Sequence, residues 1–118
     1  MGKGTNFYAR GYNFERLVWK RMVAIGYFGI RSGGSRGPAD LVFFKEGETP
    51  IFAQCKTGPE LITPDERMKL ATCSPYGQCF FVYKKGRAVY CREVGPGGLL
   101  HDDEHELKDW FAVPGDEE

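Results

Sequence analysis

The chain has 118 residues, of which 16 are basic and 16 acidic, so its formal net charge at pH 7 is zero. This length predicts one domain, and a content of 42% apolar and 14% aromatic residues is typical of a globular protein and excludes a disordered chain. No apolar run approaches the ~20 residues of a membrane span, and the N-terminus lacks the apolar core of a signal peptide. We therefore expect a cytoplasmic protein.

The zero net charge conceals a strong polarity along the chain. Residues 1–39 contain seven Lys and Arg against one acid, whereas residues 99–118 contain eight acids against one lysine. A basic N-terminal third favours binding to a phosphate backbone, because each neutralised phosphate releases counterions. An ordinary solvated helix face is the alternative. The acids of 102–106 and 116–118 are also expected to shield a basic surface of the same chain.

The predicted elements begin with an amphipathic helix from about residue 6 to residue 25, since five apolar residues between 14 and 25 recur at helical spacing. Gly11 is expected to mark either its start or a kink, and Gly26 its end. A strand over residues 28–32 follows. Residues 40–45 and 51–56 then predict a β-hairpin around the Gly and Pro of residues 46–50.

The second half of the chain predicts a helix and another hairpin. Thr63-Pro64-Asp65-Glu66 is typical of a helix N-terminus and predicts a helix to about residue 73. Residues 78–83 and 87–93 predict two more strands. The order α-β-β-β-α-β-β predicts an α/β sandwich in which helices flank a mixed β-sheet. Residues 1–94 are expected to form the main domain, and residues 95–118 an acidic segment with a short docking helix and a flexible tail.

The cysteines and histidines provide weaker signals. Cys55, Cys73, Cys79 and Cys91 are spaced unlike any paired C-x-x-C zinc arrangement, which favours reduced, mostly buried thiols over a disulfide or a structural zinc. The segment from His101 to His105 matches the H-x-x-E-H pattern of certain zinc proteases. No third ligand is evident and the segment lies in an acidic tail, so solvated histidines are the favoured interpretation.

The predicted hairpin contains the residues of greatest chemical interest. Asp40 opens its first strand, and Gln54 and Lys56 point to one face of the second, with Ala53 and Cys55 on the other face. Carboxylate and amide oxygens are hard ligands of the kind that Mg²⁺ or Mn²⁺ accepts. Lys56 could then neutralise charge on a phosphate or orient an attacking water.

Pro38-x-Asp40 followed by Gln54-x-Lys56 resembles the PD-(D/E)xK nuclease superfamily. Three further features narrow the resemblance to the archaeal and phage Holliday-junction resolvases, over roughly residues 10–94. They are the Phe14-Glu15-Arg16 run in the first helix, the segment from Gly26 to Ser32, and the Gly33-Gly34-Ser35-Arg36-Gly37 loop that leads into the acidic strand.

This resemblance implies a restriction-endonuclease-like fold and a nuclease domain at residues 1–94. It implies a homodimeric endonuclease that uses Mg²⁺, or Mn²⁺ in its place, to resolve four-way DNA junctions by paired symmetric nicks. Asp40, Gln54 and Glu15 are then expected to hold the metal, and Lys56 to position or activate water. Ser35 joins this catalytic set, although either it or Ser32 could contact the phosphate. The residues expected to bind DNA are Arg10, Arg16, Lys20, Arg31, Ser32 and Arg36.

Two departures from the family pattern affect these expectations. Ala39 separates Pro38 from Asp40, and Gln54 stands where a glutamate is typical. Glutamine supplies no charge, so metal affinity should fall unless another acid compensates. Two alternatives therefore stay open. One is a related nuclease that acts on duplex, nicked or flap DNA, and the other is a catalytically silent DNA-binding module.

Overall fold

The first element of the fold is a long helix against one face of a sheet. The computed structural model describes residues 3–32, 37–57 and 62–110, with the backbone alone for residues 3–10, 109 and 110. Helix α1 (Lys3–Ala24) buries Phe14, Val18 and Met22, which recur every four residues and so share one face. The helix runs through Gly11, so the prediction of a start there is wrong. It ends before Gly26, as predicted.

A six-stranded mixed sheet forms the centre of the molecule, with the strands arranged in chain order. All neighbouring strands are antiparallel except β3 and β4, which are parallel and are joined across one face by helix α2 (Pro64–Ala71). The strands are β1 (Phe28–Arg31), β2 (Leu41–Phe44), β3 (Ile51–Lys56), β4 (Gln78–Lys85), β5 (Ala88–Glu93) and β6 (His105–Glu106).

Apolar side chains are buried on both faces of the sheet, which confirms the predicted α/β sandwich. The cluster under α1, called here the α1 cluster, consists of Phe14, Val18, Met22, Leu41, Phe43, Ile51, Ala53, Phe80, Val82, Val89, Cys91 and Leu107. The cluster on the other face, the α2 cluster, consists of Ala39, Ile62, Leu70, Cys73, Cys79, Phe81 and Val94. Successive residues of β3 and β4 contribute to opposite clusters, as the alternation of a strand requires.

The close approach of α1 to β1 depends on a glycine. The indole Nε1 of Trp19 donates a hydrogen bond to the carbonyl oxygen of Gly29 at 3.1 Å. A Cβ added at Gly29 would lie 2.6 Å from the Trp19 ring and 2.9 Å from the Phe43 ring. A side chain at position 29 would therefore push α1 away from the sheet.

The described part of the C-terminal segment contacts the sheet. Strand β6 pairs antiparallel with β5, and helix α3 (Leu107–Trp110) inserts Leu107, which is 3% exposed, into the α1 cluster. Strand β6 was not predicted from the sequence. Because residues 101–104 are not helical and His105 lies in β6, the two histidines do not share a helix face as a zinc-protease motif requires.

All four cysteines are unpaired thiols, and three of them are buried. This confirms the interpretation of the cysteines as reduced side chains. In the part of the chain that the structure describes, no helix combines the length and apolarity needed to cross a membrane.

Candidate functional site

Asp40 lies immediately before β2 and is 8% exposed, the only charged residue buried to this degree among those described. Its Oδ2 accepts a hydrogen bond from the backbone N–H of Cys55 at 2.9 Å, which fixes the carboxylate beside β3. Burial raises the pKa of Asp40, although this N–H lowers it. The charge of Glu66 raises the pKa further, while Arg31 and Lys56 lower it.

Glu15 supplies a second carboxylate from α1. It is half-buried, and Arg31 Nε donates to its Oε1 at 2.9 Å. Burial raises the pKa of Glu15 and the negative charge of Asp40 raises it further, with Arg31 acting in the opposite sense. The Arg31 guanidinium also lies over the Tyr12 ring, 4.4 Å from its centroid. Glu15 is therefore close enough to Asp40 for the charge of Asp40 to disfavour the ionisation of Glu15.

Lys56 and Gln54 reach the same region from β3. Ala53 packs in the α1 cluster and Phe52 against the α2 cluster, so Gln54 and Lys56 point to the α2 face, as the alternation predicts. Gln54 is half-buried, and its side chain makes no hydrogen bond to the residues that the structure describes. Its amide is thus available to a ligand at this end of the strand.

Glu66, in the first turn of α2, was not assigned to the site from the sequence. Its Oε2 lies 3.1 Å from the Nζ of Lys56, and its Oε1 accepts from the backbone N–H of Thr63 at 2.9 Å. The Thr63 hydroxyl in turn accepts from the Glu66 N–H, which completes a capping box. Burial alone would raise the pKa of Glu66, but the Thr63 N–H and Lys56 lower it overall.

These side chains converge on one end of the β2–β3 hairpin from both faces of the sheet. Glu15 comes from the α1 side, Lys56 extends toward α2, and Asp40 lies between them at the strand start. Cys55 packs against the α1 cluster, and its thiol pKa is held well above the usual range by burial and by the charges of Asp40 and Glu15.

The chemistry of this site fits an open Mg²⁺ site better than a closed one. Across residues 3–32, 37–57 and 62–110, no three His, Cys, Asp or Glu side chains come together as metal ligands. Mg²⁺ is usually held by one or two carboxylates together with waters and substrate phosphates. Asp40 and Glu15, whose ionisation is disfavoured mainly by burial, match that pattern. Gln54 could add a carbonyl oxygen.

The structure places the predicted DNA-binding residues in different surroundings. Arg16 and Lys20 are exposed one helical turn apart on α1, and Arg31 is held by Glu15. The Ser32 hydroxyl donates to the carbonyl oxygen of Ala39 at 2.9 Å, so Ser32 closes the base of the glycine-rich loop. Ser35, Arg36 and the side chain of Arg10 lie outside the described residues.

The acidic C-terminal segment covers basic and aromatic side chains on the α2 face of the sheet. Glu104 accepts a hydrogen bond from the Tyr83 hydroxyl and lies 3.0 Å from the Nζ of Lys85. Asp102 lies 3.4 Å from a guanidinium nitrogen of Arg92. Because Tyr83 pairs with Lys56 across β3 and β4, this covered surface continues directly from the candidate site.

Comparison with solved structures shows the fold. The chain is similar to the Holliday junction resolvase Hjc of the archaeal hyperthermophile Archaeoglobus fulgidus, with a TM-score of 0.66 and 22% sequence identity. The match covers 86% of this chain and 94% of the archaeal one. No protein-family model and no curated protein sequence matches this chain. At this identity the likeness establishes a shared α/β architecture.

Proposed function

We propose that this protein is a divalent-metal-dependent endonuclease that resolves four-way DNA junctions. The observation that carries the proposal is the convergence of Asp40, Glu15 and Lys56 at one end of the β2–β3 hairpin. The fold shared with an archaeal Holliday junction resolvase supports the same conclusion, as does the ordered motif in the sequence. DNA recombination and repair are the processes that such an activity serves.

The side chains at the site suit hydrolysis of a phosphodiester. Asp40 and Glu15, with the amide oxygen of Gln54, would hold Mg²⁺ or Mn²⁺, which when bound supplies Lewis-acid stabilisation of charge on the scissile phosphate and the leaving oxygen. The ammonium of Lys56 offers three donors, which can orient a water or a phosphate oxygen. Its contact with Glu66 fixes the direction in which those donors point.

Recognition of DNA would rest on backbone charge and branch shape. Arg16 and Lys20 are exposed on one side of α1 and can each meet a phosphate. Contacts of this kind set register and orientation without reading base sequence. The bending available at a branch point would then give selectivity for junctions. Such a substrate places the working protein in the compartment that holds DNA, the cytoplasm of an archaeal or phage-infected cell.

Two related nicks require two related sites, which a homodimer supplies. Exposed apolar side chains on β1 and β2 support such an assembly, since Phe28 is 67% exposed, Ile30 47% and Phe44 39%. These three lie on the same face of neighbouring strands, on the side opposite the α1 cluster. Contiguous exposed apolar surface of this kind is typical of a protein interface.

The test is cleavage of an end-labelled immobile four-way junction in Mg²⁺, in Mn²⁺ and in chelator. We expect symmetric paired nicks that need the metal and that are lost in Asp40→Asn. A linear duplex, a nicked duplex and a flap serve as competitors. Cleavage of the duplex or flap at the same rate would assign the protein to the related nucleases instead.

The neutral Gln54 favours a second candidate, a DNA-binding module without catalysis. Retained junction binding with no nicking in either metal would support this candidate and overturn the first. Binding measured in chelator separates it from a protein that has simply lost its affinity for DNA.

A further inference from the structure

Two negative and two positive side chains meet at the candidate site, so their formal charges cancel. The carboxylates of Glu15 and Asp40 are offset by the guanidinium of Arg31 and the ammonium of Lys56. A glutamate at position 54 would leave one net negative charge for a divalent cation, but Gln54 supplies none. With only these groups the site would be neutral and would attract Mg²⁺ weakly.

Resting on the proposed function, we propose that Glu66 compensates for Gln54, by holding the ammonium of Lys56 and restoring one net negative charge to the site. The Glu66 carboxylate belongs to α2, which lies on the face of the sheet to which Gln54 and Lys56 point. Its Oε2 lies 3.1 Å from the Lys56 Nζ, with both side chains between one fifth and one third exposed. Glu66 is therefore a positioning residue that acts through Lys56.

The capping box explains why this carboxylate stays in place. One of its oxygens accepts from the Thr63 N–H at 2.9 Å, and the other faces Lys56. Both oxygens of the Glu66 carboxylate therefore have a partner. The carboxylate also lies at the N-terminus of α2, where negative charge is favoured. Lys56 is held toward α2 instead of turning onto Asp40, where it would compete with a cation for the same oxygens.

A helix cap by itself does not require a charged residue. The amide oxygen of a glutamine at position 66 could also accept from the Thr63 N–H, since the capping box is formed by Glu or Gln. It would remove the negative charge that directly contacts Lys56. Glu66→Gln therefore removes the proposed charge while it preserves the cap.

The experiment measures Mn²⁺ affinity by electron paramagnetic resonance of unbound Mn²⁺, and single-turnover junction nicking in parallel. Glu66→Gln should weaken Mn²⁺ binding and slow nicking by about 10- to 100-fold, the usual effect of removing a group that supports metal ligands. Asp65→Asn is the matched control, because it removes one exposed charge from the same helical turn. It should change either value by about twofold or less.

The decisive variant is the double substitution Gln54→Glu with Glu66→Gln, which moves the acid from α2 to β3. It should bind Mn²⁺ close to the wild-type affinity, and Gln54→Glu alone should bind more tightly than wild type. A double variant as weak as Glu66→Gln would overturn the inference, as would equal losses in Glu66→Gln and Asp65→Asn.

The outcomes distinguish this inference from the proposed function. If the wild type binds Mn²⁺ with this pattern but never nicks a junction, the nuclease assignment fails and the compensation stands. If the wild type nicks junctions and Glu66→Gln matches it in both measurements, the assignment stands and the compensation fails. A wild type that binds no Mn²⁺ at millimolar concentration overturns the compensation.

Discussion

Two lysine–glutamate pairs on the sheet have nearly the same geometry and very different surroundings. Lys56 and Glu66 are 3.1 Å apart with side chains 21% and 31% exposed, whereas Lys85 and Glu104 are 3.0 Å apart with side chains 63% and 30% exposed. The exposed pair is an ordinary surface ion pair, of a type that contributes about 0–1 kcal/mol. The first pair lies beside two carboxylates whose ionisation is disfavoured. Neighbouring charges and burial, more than the pair distance, distinguish a candidate site from a surface contact.

The largest difference between the pairs should appear in catalysis. Replacing each lysine by methionine keeps the apolar stem and removes the charge. Lys56→Met should slow single-turnover nicking by about 10²- to 10³-fold, as expected for loss of a group that stabilises charge in the transition state. Lys85→Met should have little effect, because the charge of Lys85 shifts the pKa of neither Asp40 nor Glu15. Equal effects of the two variants would remove the distinction between the two pairs.

A smaller difference should appear in thermal stability, between the carboxylate of Asp40 at the candidate site and that of Glu104 in the surface pair. Because the folded-state pKa of Asp40 is raised, ionisation of this carboxyl costs stability progressively as pH rises from its ordinary value through the folded-state value. Asp40→Asn should therefore raise Tm at pH 7 in chelator. An increase of about 1 kcal/mol in the free energy of unfolding would raise Tm by roughly 4 °C. The gain should shrink as pH falls toward about 4, the ordinary pKa of an aspartate.

Glu104→Gln is the matched control for this measurement. Hydrogen bonds from Tyr83 and Lys85 lower the pKa of Glu104, so its anion favours the folded state above the ordinary glutamate pKa and that benefit is lost as pH falls. The variant should lower Tm slightly at pH 7. A rise in Tm for Glu104→Gln, or a fall for Asp40→Asn, would contradict the assigned electrostatics.

The smallest effect concerns DNA affinity at the surface pair. Glu104→Gln leaves Lys85 and Tyr83 without their anionic partner, so these side chains become available to a phosphate. Junction binding in chelator should tighten by a few fold at low salt, and the salt dependence should steepen by about one phosphate contact. Fluorescence anisotropy over a salt series measures both quantities. Unchanged affinity and slope would show that the acidic segment does not shield a DNA-binding surface.

Much of the fold was predictable because local patterns agree with the tertiary structure. The apolar spacing from Phe14 to Met22 predicted α1, and alternation along residues 51–56 predicted which side chains of β3 share a face. Strand β6 was not predictable, because two residues carry no periodic signal. Its pairing with β5 depends on Leu107 reaching the α1 cluster, which is a tertiary contact.

The candidate site was predictable to a lesser extent. The sequence placed Asp40 and Lys56 on adjacent strands, and the structure adds the bond from the Cys55 N–H that fixes Asp40. Glu66 was visible only as part of a helix start, Thr63-Pro64-Asp65-Glu66. A parallel crossover from β3 through α2 to β4 returns that start toward the end of β3, near Lys56. The spacing between the two residues does not by itself reveal this proximity.

The reactivity of the Cys55 thiol can show whether the structure around the candidate site is intact. This thiol sits between Gln54 and Lys56 in the chain yet packs on the opposite face, under α1, where burial and two carboxylates keep it protonated. Alkylating reagents attack thiolates, so the folded protein should be modified slowly at this position. The rate of that modification would measure how often the structure opens locally around Glu15 and Asp40, and the measurement needs no substrate.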